Sequence, residues 1–166
     1  MGYMQKIELL SAGNLKLVQD IAFKTWPGTY GDILEPKQVE YMLDKMYSLP
    51  VLRTQQEKGH LFYLFREDGH PLGFMGIEPH AEPDSLKIHK LYVLPEAQGK
   101  KVGAQLLAFA ELIAKSNQLR RIFLNVNRHN KAKDFYESRG MTVFREENID
   151  IGNGYLMEDY VMEKRV

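Results

Sequence analysis

Leu91-Tyr92-Val93-Leu94-Pro95-Glu96-Ala97-Gln98-Gly99-Lys100-Lys101-Val102-Gly103-Ala104 is the stretch on which the reading of this chain turns. An apolar strand pattern ends at Leu94, a loop rich in glycine and lysine follows, and a long apolar helical pattern opens near Val102. The first N–H groups of a helix have no intrahelical acceptor, and the helix dipole adds partial positive charge there. Glycine lets backbone come close to an anion, so the junction suits a phosphate or pyrophosphate. The same residues also make an ordinary strand-to-helix turn with solvated lysines. No GxxxxGK[ST] is present, Gly99 and Gly103 do not fit GxGxxG, and Gly152-Asn153-Gly154 lacks the third glycine. A nucleoside triphosphate or nicotinamide ligand therefore has little support.

Working outward, residues 3–10 read as a strand with Tyr3, Ile7 and Leu9 as its apolar positions. Asn14 caps a helix with Leu15, Val18, Ala22 and Trp26 on one face. Trp26-Pro27-Gly28-Thr29-Tyr30-Gly31 reads as the loop that ends it. Further helices are expected from Glu35-Pro36 to Met46 and from Pro50. Residues 61–65 and 72–77 read as a hairpin around Glu67-Asp68-Gly69. The Pro, Asp and Glu of 79–84 read as a loop before a third strand at 85–94. A helix over 102–115 follows, then a strand at 121–126 and a short helix at 131–139 closed by Gly140. Strands at 141–145 and 155–163, with Asn153-Gly154 as turn, complete the order. The expected fold is α/β (α+β): one mostly antiparallel sheet with helices on both faces, in a single domain over 1–166.

Composition narrows the function. The chain has 166 residues, with 22 basic residues balancing 22 acidic ones. One domain can bury a core at this length, and no global positive field draws nucleic acid or an acidic membrane. Cysteine is absent, which removes thiolate nucleophiles, acyl-thioester enzymes and Cys-ligated metals. The opening residues show no apolar signal region, no apolar run approaches the ~18 residues of a bilayer span, and no Asn-x-Ser/Thr occurs. A soluble cytoplasmic protein is expected, with no nucleic-acid or membrane partner.

Residues 91–104, followed by Asn127-Arg128-His129-Asn130-Lys131-Ala132-Lys133-Asp134-Phe135-Tyr136-Glu137-Ser138-Arg139-Gly140-Met141, resemble the GNAT acyl-CoA N-acetyltransferase superfamily. That pattern joins a strand ending Leu-Tyr-Val to Arg/Gln-x-x-Gly-x-Gly/Ala at a helix start, and later an Asn to a Phe-Tyr-Glu-x-x-Gly-Phe helix end. Gln98 and Gly103 match; Lys101 stands where glycine is usual, and Met141 replaces Phe. Trp26 to Tyr30 and Gly152 to Met162 are similar to the PaiA-type polyamine acetyltransferase branch. The resemblance implies acetyl transfer from acetyl-CoA to a primary amine, such as spermidine or spermine, by direct attack in a ternary complex. It also allows a homodimer, and no metal is expected. An acyl-CoA sensor with little turnover and a protein or peptide N-acetyltransferase are the alternatives.

The implied cofactor contacts are the backbone of Leu91, Tyr92 and Val93 along the acetyl-pantetheine arm, and Gln98, Gly99, Lys100, Lys101, Val102, Gly103 and Ala104 around the pyrophosphate. Asn130 and Lys133 reach the pantetheine or a CoA phosphate, although Asn130 also suits a helix cap. If the turn at 101 needs a left-handed residue, Lys101 is strained there. Tyr136 is the expected general acid for the departing thiolate. The base is His89, placed by strand alternation on the face of Leu91, or Glu78 at the end of the previous strand. Trp26, Tyr30, Asp32, Glu35 and Tyr155 offer aromatic walls and carboxylates for the amine. No histidine spacing suggests a metal site.

Overall fold

The computed structural model describes residues 6–166, so the reading of Tyr3 lies outside the described residues. Seven strands form one sheet in the order β1-β2-β3-β4-β5-β7-β6, where β1 is Ile7–Leu9, β2 Leu61–Glu67, β3 His70–Glu82, β4 Ser85–Val93, β5 Arg121–Asn127, β6 Thr142–Gly152 and β7 Tyr155–Arg165. Every neighbouring pair is antiparallel except β4 with β5. Five α-helices cover it: α1 Lys16–Tyr30, α2 Pro36–Tyr47, α3 Leu49–Glu57, α4 Val102–Ser116 and α5 Ala132–Ser138. Two apolar cores result. One packs Leu106, Leu107 and Ala110 of α4 against Met75, Ile88 and Leu124, and the other packs Val18, Ala22 and Met42 against Phe62, Leu64 and Phe74. The expected mixed, mostly antiparallel sheet with helices on both faces is what forms.

Three expected boundaries move. The loop at Trp26-Pro27 is helix: α1 continues through Pro27 to Tyr30. Pro27 cannot donate to the helix, but Trp26 and Tyr30 are both buried one turn apart, and that packing outweighs the local signal. The loop over 79–84 is largely strand, because β3 absorbs a register shift between Pro79 and Glu82, with His80 at φ 61°. The strand expected to end at Arg145 runs to Gly152. It is an edge strand, mostly exposed, so no apolar alternation announces it. Asn153 (φ 55°) and Gly154 (φ 77°) are both left-handed, the geometry of a tight two-residue hairpin turn.

The parallel pairing positions the site. It joins Ser85–Ile88 to Arg121–Leu124 and stops there. Beyond Ile88 and Leu124 the strands diverge, and the backbone of Leu91 to Val93 turns an unpaired edge toward the gap. Parallel strands need a long crossover, here α4, and that crossover brings the 98–104 loop to the mouth of the same gap.

Candidate active site

A cleft of about 540 Å³ fills the space where β4 and β5 part. One wall is contiguous sequence, including Leu91, Tyr92, Val93, Gln98, Gly99, Lys101, Val102, Gly103 and Ala104. The Gln98 side-chain amide donates to the Val93 carbonyl at 3.3 Å, folding the loop back on the strand. The first amide to find its partner on the Lys101 carbonyl is that of Gln105, at 3.0 Å. The N–H groups of Val102, Gly103 and Ala104 therefore precede the helical ladder and remain for an anion. Gly99 is at φ 85° and Lys101 at φ 60°, so the turn does require a left-handed residue where lysine stands. That conformation costs a β-carbon-bearing residue about 1–2 kcal/mol.

The other wall is built from side chains on separate elements. Tyr136 of α5 is 7% exposed, and burial, followed by the nearby Tyr30 phenol, holds its hydroxyl far above the ordinary tyrosine range. It is a proton donor at every physiological pH. Tyr30 and Tyr92 share a hydrogen bond of 2.8 Å between their hydroxyls. Asn130 accepts the Ala132 N–H at 2.9 Å through Oδ1, so it starts α5 and lines the cleft together.

His89 stands on the β4 side. Its Nε2 lies 2.9 Å from Glu78 Oε1, and since an ionised carboxylate only accepts, that ring nitrogen carries the proton. The basic lone pair is thereby assigned to Nδ1. Burial lowers the imidazole to about 4, against its hydrogen bond to Glu78, which raises it, so the ring is neutral near pH 7. His60 stacks on His89 at 4.3 Å and reaches the same carboxylate at 3.5 Å. Strict alternation fails here: Gly76 pairs with Lys90 and Ile77 with Ile88, so His89 is an extra residue in a bulge. His89 lies with His60 and Glu78, and Lys90 over Tyr47 and Phe62, while Ile88 and Leu91 both join the core under α4. The expectation that His89 shares the face of Leu91 is thus corrected by one inserted residue.

The ligand atoms of His60, Glu78 and His89 lie within 4.8 Å of one another and could hold a metal ion, a grouping that sequence spacing did not reveal. Both imidazoles are held neutral, as ligation needs, but the charges of Lys87 and Lys90 reach both rings and oppose a cation. Lys90 is 8% exposed, donates to Gln55 Oε1 at 2.8 Å, and is lowered by burial to about 8.

This combination, a parting of two parallel strands with an anion-ready helix start at its mouth, coincides with a match to known sequences: residues 16–141 fit the acetyltransferase (GNAT) family. The chain belongs to that family. GNAT membership makes it an acetyl-CoA-dependent N-acetyltransferase. It is 29% identical to the spermidine N(1)-acetyltransferase of Thermoplasma acidophilum over 159 residues, 92% of this chain and 95% of that protein. An N-acetyltransferase of Lactobacillus delbrueckii is 28% identical over 167 residues, 96% of both chains. The crystal structure of the PaiA N-acetyltransferase from Thermoplasma acidophilum with coenzyme A superposes with a TM-score of 0.78 at 29% identity, covering 96% of this chain and 99% of that one. A GCN5-related N-acetyltransferase from Rhodopseudomonas palustris reaches 0.82 at 19% identity over 96% and 94% of the chains, a likeness of fold alone.

Within this GNAT cleft not every expected residue is present. Lys100 turns to a different hollow, with Lys6, Lys24 and Glu96. Lys133 pairs with Glu137 at 2.9 Å one helical turn away and covers the Tyr160 ring, because the short helix faces it outward. Lys131 and Arg139 supply the cationic edge instead. Trp26 is 3% exposed behind Tyr30 and is core, since α1 does not end before it. Asp32 and Glu35 are exposed around the start of α2, and Tyr155 packs on Tyr41 at 5.4 Å, so of the expected amine-side residues only Tyr30 lines the cleft. Sequence reasoning missed His60 and Asn125, and also Asp159, which carries no local motif. No described helix is long and apolar enough to cross a membrane.

Proposed function

We propose that the whole chain acts as one catalytic domain that transfers acetyl from acetyl-CoA directly to a primary amine of a polyamine, with spermidine and spermine as model substrates. One observation carries the reading: a backbone anion cradle, a protonated buried phenol and a carboxylate-held imidazole line or border the same cleft. The 29% identity to a spermidine acetyltransferase supports the substrate class.

In this mechanism the amides of residues 102–104 hold the pyrophosphate, while Lys131 and Arg139 offset its charge. The free edge of Leu91 to Val93 aligns the pantetheine, and a backbone N–H near Val93 meets the developing oxyanion. His89 Nδ1, directly or through water, takes the proton of the attacking ammonium, and Glu78 holds the ring in that tautomer. As the tetrahedral intermediate collapses, the C–S bond breaks, Tyr136 donates its proton to the leaving thiolate, and the second proton lost by the attacking nitrogen restores the phenol through water. Without cysteine the chain cannot form an acyl-thioester of its own, so attack is direct and both substrates are bound together.

A CoA-release assay against spermidine, spermine, smaller amines and a peptide panel tests the proposal. Turnover on the polyamines is expected. Turnover on peptides alone would replace the substrate class, and tight acetyl-CoA binding without turnover would favour a sensor, the reading to which strained Lys101 lends weight. Proposed partners are the small amine and a second copy of this chain, the latter read by sedimentation.

A further inference from the structure

The mechanism leaves one buried charge unused. Asp159 of β7 is 6% exposed, and its Oδ1 has no hydrogen-bond partner. Its Oδ2 accepts only from the Asn125 amide, at 3.3 Å, and the same Nδ2 donates to Glu147 Oε2 at 3.1 Å. Glu147 has a cation of its own, Arg145 at 2.6 Å. Among the described residues no cation touches Asp159. Lys87 lies over the Phe123 ring at 5.7 Å, and the Arg128 guanidinium is taken up by Glu146, Asn148 and Glu158. Burial accordingly raises the Asp159 carboxyl, more than Asn125 lowers it. A carboxylate in this position is expensive to keep charged unless something positive reaches it.

Its place says what that is. Asn125 lines the cleft from β5 and Tyr30 lines it from the end of α1, while Asp159 lies close enough behind to raise the Tyr30 hydroxyl. The Asp159 carboxylate thus backs the β7 side of the cleft, across β5 from His89 on β4. We propose that Asp159, with Asn125 and Glu147, forms a subsite for the second, non-reacting ammonium of an aliphatic diamine or polyamine.

The chemistry separates the two nitrogens. A carboxylate partner stabilises an amine in its protonated form, which cannot attack. The reacting nitrogen must become neutral, and the His89–Glu78 pair serves that end on the β4 side. A second nitrogen that stays charged belongs beside Asp159, where it completes the unpaired Oδ1 and orients the first. The subsite rests on the amine-acetyltransferase reading but is read out separately from turnover.

The test compares 1,4-diaminobutane with butylamine, a chain of equal length with one charge. Binding to the CoA-bound protein is measured by calorimetry, and kcat/KM by CoA release. The native protein is expected to prefer the diamine, and Asp159→Asn, nearly identical in shape, to cut diamine binding about 10- to 100-fold, the range of a charge-assisted hydrogen bond. Butylamine binding changes little, and the melting temperature does not fall, because a buried unpaired charge has been removed. Glu147→Gln, at a more exposed position, weakens the preference less. Equal binding of both amines by the native protein, or equal losses for both on Asp159→Asn, overturns the subsite, as does a preference that survives both substitutions. Diamine binding that needs Asp159 without acetylation of either amine would leave the subsite standing and remove the activity assigned to it.

Discussion

The two walls of the cleft are built on opposite plans. The proposed cofactor wall comes from one stretch of sequence, Leu91 to Ala104, and works through backbone: a free strand edge and the unladdered amides of a helix start. The proposed acceptor wall draws single side chains from α1, β4, β5 and α5, namely Tyr30, His89, Asn125 and Tyr136, with Glu78 of β3 and Asp159 of β7 behind them. A wall of backbone tolerates substitution of its side chains, whereas a wall of side chains does not. The strand-to-helix turn keeps its left-handed geometry with a lysine at a glycine position, while a one-residue bulge decides which face the proposed base occupies.

The sharpest way to break this contrast is to strike where the walls meet. Tyr136→Phe is expected to lower kcat by roughly 10²–10⁴-fold, the range for general acid–base catalysis, with acetyl-CoA affinity by equilibrium binding hardly changed. Near-native turnover would take the phenol out of the chemistry. His89→Asn should lower kcat by roughly 10²-fold or more, also within that range. Glu78→Gln, which keeps the ring in place but disturbs its tautomer, should fall between His89→Asn and the native protein.

Charge on the backbone wall should matter less than its neighbours suggest. Lys133→Ala and Lys100→Ala are expected to leave the acetyl-CoA dissociation constant within about 2-fold, as suits exposed pairs worth under ~1 kcal/mol. Arg139→Ala should weaken it more, and this ordering is visible in a single calorimetric series.

Acid unfolding probes the other wall. The His89 imidazole is depressed to about 4 from an ordinary 6.5, so the unfolded chain binds more protons between those values. Stability contributed by keeping the ring neutral is therefore present above about 6.5 and lost as pH falls toward 4. His89→Asn should flatten the melting temperature over that window. An unchanged pH profile would place His89 outside the buried network.

The smallest effect belongs to the strained turn. Lys101→Gly relieves a left-handed lysine at φ 60°. A gain of about 1 kcal/mol, or roughly 2–4 °C in melting temperature for a chain of this size, is expected. Acetyl-CoA affinity should hold or improve, since only backbone faces the ligand.

What could be read in advance follows the same division. The 91–104 wall was legible because its elements are adjacent in sequence and its chemistry is a property of any helix start. The Asn153-Gly154 turn was legible because two successive left-handed residues demand such a pair. The end of α1 was not, since Pro27 and Gly28 signal a break and only the packing of Trp26 and Tyr30 overrides it. Nor was the length of β6, whose exposed edge carries no apolar period. Lys100 and Lys133 misled for one reason: charge near a motif says nothing about which way a side chain leaves the backbone.

By itself the amino-acid order determined a mixed sheet, a strand-to-helix junction rich in glycine and lysine, and a chain without thiol chemistry, because local backbone preference and composition are enough to specify these. The tertiary structure alone decided where β4 and β5 part, that a bulge turns His89 toward Glu78, and that Asp159 ends up buried beside the cleft without a cation. Those facts depend on pairing register and on contacts between residues distant in sequence, as between His89 and Glu78, 11 positions apart, or Asn125 and Asp159, 34 apart. Periodicity carries no record of such contacts.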